Sequence, residues 1–157
     1  MNVLHPPFVH FVIALPLAAL FSQLTYVASG NKTYSNAALR IMAFALLVSF
    51  FAVFSGILDA KKIVDGHNIL QNGLLVLQEH RTFGFVVVAI LFATTLIKWI
   101  ALSKDSLTLE KLSILLIILS IAASLYQGKK GGSLIYKYAG GIDKQIIMKR
   151  VAEQKGE

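Results

Sequence analysis

Four apolar blocks constrain this chain more than any motif does: residues 8–28, 37–58, 83–101 and 107–126 carry few charges. With a rise of about 1.5 Å per residue, a helix of roughly 20 residues crosses the hydrocarbon core of a bilayer. A water-soluble bundle would need a polar stripe along each helix, and FGFVVVAILFATTLIKW and LSILLIILSIAASLY read as lacking one. Composition agrees, with 56% hydrophobic and 15% charged residues and a mean hydropathy of +0.69. The expected fold class is all-α, a four-transmembrane-helix bundle. Residues 1–142 are expected to form the membrane domain and residues 143–157 a polar C-terminal tail. A soluble enzyme is excluded on these grounds.

Local signals refine the expectation. Pro6 and Pro7 suit a first helical turn, and Pro16 is expected to bend the first span. MNVLHPPFVHF lacks the basic stretch of a secretory leader, so the first block reads as a retained helix. Ile63, His67, Leu70, Leu74 and Leu77 recur near helical spacing and predict a short interfacial helix between the second and third spans. A continuous extension of the third span, bending at Gly73, is the alternative. Lys98 reads as the end of the third span and Glu110 as the start of the fourth. The five glycines of GKKGGSLIYKYAGGI are expected to supply tight backbone positions, and DKQIIMKRVAEQKGE a surface helix.

Zero cysteines exclude disulfides, thiolate metal sites and cysteine nucleophiles. NKT at Asn31 fits a glycosylation sequon, which matters only in a eukaryotic lumen. The net charge of +7 fits anionic headgroups better than a nucleic-acid groove, for which no folded module is present. An even number of spans puts both termini on one side, side A, which the lysine and arginine balance slightly favours as cytoplasmic.

That topology gathers the unusual polar residues. His5, His10, Asp59, His67, His80, Arg81 and the glycine-rich segment all belong to side A, whereas side B has no histidine. His10 lies inside an apolar run, where a polar ring is expected to face the bundle rather than lipid. His80 opens the third span at similar depth, so His10 and His80 are the leading pair for a metal, with His5 and His67 in reserve. Two imidazoles from different helices suit axial ligation of haem iron. More ligands, with Asp59, would suit a divalent metal. Arg81 could neutralise a haem propionate and Tyr136 cover its edge. Gly56, three residues before Asp59, could admit a second helix near the carboxylate.

The segments HPPFVHFVIALPLA, SGILD, the histidine of QEHRTFGF, and GKKGGSLIYKYAGGI together resemble the prokaryotic membrane family known as domain of unknown function 2231. The resemblance covers most of the chain and maps onto His5, Pro6, His10, Gly56, Asp59, His80, Gly131, Gly132 and Tyr136. It implies a four-helix integral membrane domain, in a prokaryotic inner or cytoplasmic membrane, with its characteristic residues at one face. An association with membrane redox subunits or cytochromes is the family-level implication. Ser133 stands where the pattern has an acidic residue, which removes a carboxylate there as ligand or relay. The working function is a small b-type membrane cytochrome or cytochrome-like electron-transfer subunit carrying haem b. The alternatives are an accessory subunit of a respiratory assembly that binds no cofactor, and a divalent-metal-binding membrane protein.

Overall fold

Proline suits the first described turn of the chain. Pro6 and Pro7 lie in the first turn of α1 (His5–Ser29), where their missing amide protons break no internal bond. The computed structural model describes residues 5–156; residues 1–4 and 157 lie outside the described part. The other helices are α2 (Lys32–Asp65), α3 (Gly73–Ser103), α4 (Leu107–Tyr138) and α5 (Lys144–Lys155). α1 runs on through the buried Pro16. Gly30 turns the chain at φ +70°, and the Asn31 side chain accepts from the Thr33 amide to start α2.

The first four helices, of 25, 34, 31 and 32 residues, are each long and apolar enough to cross a membrane. α1 packs on α2 and α4, and α3 packs on the same two, so α1 and α3 stand diagonally across the bundle. Ala19, Ala38, Met42, Ala45, Leu91 and Ile117 fill the centre with no exposed surface. Small residues there let the backbones approach closely. Phe21, Phe54, Leu75 and Leu115 point outward, so the helices are apolar on both faces, as a bilayer requires.

Two expectations are corrected. No separate interfacial helix stands between the second and third spans: Ile63 belongs to α2, Leu74 and Leu77 to α3, and residues 66–72 form a turn. Gly66 caps α2 and Asn72 precedes α3, so the extension beginning at Gly73 is the form taken. Ile69 and Leu77 pack with Ala60 and Leu134 instead of lying along a surface. The glycine-rich segment is likewise helical through Gly128, Gly131 and Gly132, α4 ends at Ala139, φ +54°, and only Gly141, φ +80°, supplies a left-handed position of the kind expected. The turn is tied to that end by Leu70 N–H donating to the Tyr138 carbonyl, 3.0 Å, and Gly141 N–H to Asn68, 2.9 Å. Among the described residues, the α5 backbone comes close to none of the other helices.

The natural absence of cysteine makes the topology directly testable. Single cysteines replacing Lys61 and Asp143 should label with an impermeant maleimide from one side of intact vesicles. Those replacing Asn31 and Lys104 should label from the other. Labelling of Lys61→Cys and Lys104→Cys from the same side would overturn the four-span arrangement.

Candidate functional site

The start of α1, the end of α2, the start of α3 and the last turns of α4 meet around a cavity of about 260 Å³. Its wall is chiefly apolar, with His5, Asp59, His80, Arg81 and Gln127 as the polar members. The two imidazoles come from the diagonal helices α1 and α3, with ring centroids 6.0 Å apart and planes at 89°. His5 Nδ1 lies 2.7 Å from the Ala52 carbonyl, which only accepts, so this nitrogen carries the proton and Nε2 keeps its lone pair. His80 is buried, and its Nδ1 makes no hydrogen bond within the protein. Gln127 holds the backbone beneath it by donating to the His80 carbonyl at 2.7 Å.

Glycine makes room for both rings. A Cβ at Gly56 on α2 would stand 2.9 Å from His5 Nδ1, and one at Gly131 on α4 would stand 3.2 Å from His80 Cε1. Each ring therefore lies flush against a neighbouring helix that any side chain would push away.

Asp59 is the anchor of α1. Its Oδ2 accepts from the His5 backbone N–H at 2.9 Å, satisfying one of the orphan donors of the helix start and placing negative charge at the positive end of its dipole. Lys62 Nζ lies 3.6 Å from the other oxygen. Replacing Asp59 by Ala should cost about 1–3 kcal/mol, because a partly buried N–H loses its partner. Asp59→Asn keeps an acceptor and should lose less. Thermal unfolding in detergent distinguishes the two, and equal losses would count against this role.

The sequence-predicted residues divide cleanly. His5, Gly56, Asp59, His80, Arg81 and Gly131 surround the cavity. His10 does not: its ring is exposed on α1 and its Nδ1 bonds the Pro6 carbonyl one turn back, at 2.7 Å. That local acceptor satisfies the ring without an inward turn, so His5 rather than His10 meets His80. His67 sits on the turn with φ +50°, exposed, its ring bonded to the Asp65 carbonyl. Tyr136 is 90% exposed and covers nothing. Gly132 faces only Tyr136 of its own helix, so it admits no second helix. Among the described residues, no group of three or more His, Cys, Asp or Glu could hold a metal ion.

A second polar cluster, read from the sequence only as span ends, lies at the opposite end. All four helices contribute: Gln23, Ser35, Lys98 and Glu110, each buried. Lys98 Nζ donates to Glu110 Oε2 and, at 2.6 Å, to Ser35 Oγ. Glu110 also accepts from Ser35 at 2.6 Å and from Gln23 at 2.7 Å. The apparent lack of a polar stripe in the fourth span is corrected too, since Ser113, Ser120 and Ser124 face inward and are buried. Their spacing of seven and four residues, continued by Gln127, was the signal available in the sequence.

The family described as "Predicted membrane protein (DUF2231)" matches residues 2–144. The chain belongs to this family. The match takes in all four long helices and every residue around the cavity, and stops where α5 begins. Membership in the family thus agrees with the four apolar helices in placing the protein in a lipid bilayer. No curated protein and no solved structure matches the chain.

Proposed function

We infer that the protein is a small b-type electron-transfer subunit of a membrane, with His5 and His80 as the axial pair for haem. The carrying observation is the ring spacing. Imidazole nitrogens about 2 Å from one metal ion on opposite sides put their ring centroids roughly 6 Å apart, and the measured separation is 6.0 Å. Diagonal helices supply the rings, and glycines on the other two helices admit them.

The remaining residues fit the same group. Ala52 fixes the His5 tautomer so that Nε2 is the nitrogen offered, the orientation that ligating histidines usually receive from a carbonyl partner. His80 Nδ1 lacks a protein partner, and Arg81 stands at the cavity wall to meet a propionate. Ile57, Phe85 and Ile135 line the cavity and are 38%, 55% and 43% exposed, so it reaches the outer surface, where a ring edge meets lipid. Haem bound there would supply one-electron transfer; the chain holds it and limits water. A second reading, an accessory subunit whose histidines lock helices together, is favoured by the bonds His5 already makes to Ala52 and Asp59.

Visible spectroscopy and a pyridine-haemochrome assay on detergent-extracted protein, expressed with cofactor supply, separate the two. A redox-sensitive Soret and α-band at about one haem per chain is the expected outcome. Folded protein that stays colourless after reconstitution with haemin would give way to the accessory-subunit reading.

A further inference from the structure

A file of buried polar groups joins the two ends of the bundle. From the Lys98–Glu110 pair, Thr94 lies one turn inward along α3, and its hydroxyl stands 3.0 Å from Ser120 Oγ on α4. Ser124 follows one turn further along α4, then Gln127, whose amide lies 3.4 Å from His80 Nε2. Lys98, Thr94 and Ser120 have no exposed surface and Ser124 has 2%. Successive members on one helix are three or four residues apart, a rise of about 4.5–6 Å.

Two further observations point the same way. Ser124 Oγ, Gln127 Oε1 and His80 Nδ1, together with Gln23 Oε1 at the far end, are buried without a hydrogen bond inside the protein. Such atoms ordinarily pair with ordered water. A cavity of about 40 Å³, with a chiefly apolar wall, lies beside Ser124 and Gln127. That is room for about one water molecule. An ionised pair is a costly feature in a membrane core, and the Thr94 and Ser120 hydroxyls that follow it also bond the Ile90 and Leu116 carbonyls.

We propose that this file is a proton path running from the Lys98–Glu110 pair to the histidine cavity. Each hydroxyl or water accepts a proton on a lone pair as it releases another; the Gln127 amide orients the last water without passing a proton itself, and the path opens into the cavity without using the histidine rings. One proton is moved per event, with nothing oxidised or reduced. The path needs no haem, so its success or failure is independent of the cofactor reading.

Purified protein without added cofactor, reconstituted into phosphatidylcholine–phosphatidylglycerol vesicles containing a pH-sensitive dye, gives the test. A potassium gradient with valinomycin supplies the driving potential. Wild type should acidify or alkalinise the lumen faster than empty vesicles. Thr94→Val, which removes the hydroxyl while keeping the shape, should lower the flux about tenfold. Thr95→Val is the control. That hydroxyl bonds the Leu91 and Met42 carbonyls on a different face and lies outside the file, so flux should be unchanged. Ser124→Val should act like Thr94→Val. Wild-type flux no greater than that of empty vesicles, or equal effects of Thr94→Val and Thr95→Val, would overturn the proposal.

Discussion

Replacing either His5 or His80 by Ala is expected to remove the low-spin haem signal, with cofactor affinity falling on the order of 100-fold or more. Loss of an outer partner of a ligating histidine already costs about 10–100-fold, and loss of the ligand itself should exceed that. His10→Ala and His67→Ala should leave the spectrum unchanged, since both rings are exposed and bonded to nearby carbonyls. Gly131→Val gives a third arm: a branched side chain beside His80 Cε1 should displace that ring and shift the spectrum without deleting a ligand. Each variant has to be read at matched folded yield, because the His5 ring also joins α1 to α2 through its bond to the Ala52 carbonyl. If His10→Ala bleached the protein while His5→Ala did not, the axial assignment would fail.

The contrast between His5 and His10 marks where sequence reasoning stops. Apolar block length determines that helices span and roughly how deep a residue lies, so the collection of His5, Asp59, His80, Arg81 and Gly131 at one end was legible. Rotation about a helix axis was not. It depends on which face packs, and α1 is too uniformly apolar to declare one. His10 finds its partner four residues back in its own helix, an option that makes burial of a polar ring unnecessary. The connector misled for a related reason. A period near 3.6 in Ile63, His67, Leu70, Leu74 and Leu77 was real, but Gly66 and Asn72 divide it between two helix ends and a turn. Glycines in α4 read as loop signals, whereas a membrane helix tolerates them where a neighbour's ring must come close.

Lys98 and Glu110 were hidden by their position near span ends, where charges normally reach water. Here they turn toward each other across α3 and α4 and are 0% and 2% exposed. Lys98→Met should therefore destabilise the bundle by about 3–5 kcal/mol, because it leaves a buried carboxylate with only the neutral Ser35 and Gln23 as partners. Glu110→Leu should cost a similar amount by stranding the ammonium. The double variant is expected to recover most of that loss, since two apolar side chains of similar length suit the site. Ser35 and Gln23 lose charged partners in it, but unpaired neutral groups cost only about 1–3 kcal/mol. Reversible unfolding in mixed detergent–SDS micelles measures the cycle. A double variant as unstable as the sum of the singles would mean that the two charges are not coupled, and the four-helix cluster would then have to be held by its neutral members alone. Thr94→Val separates this stabilising role from the proton path: it leaves the ion pair intact, so it should change flux without moving the unfolding midpoint by a comparable amount.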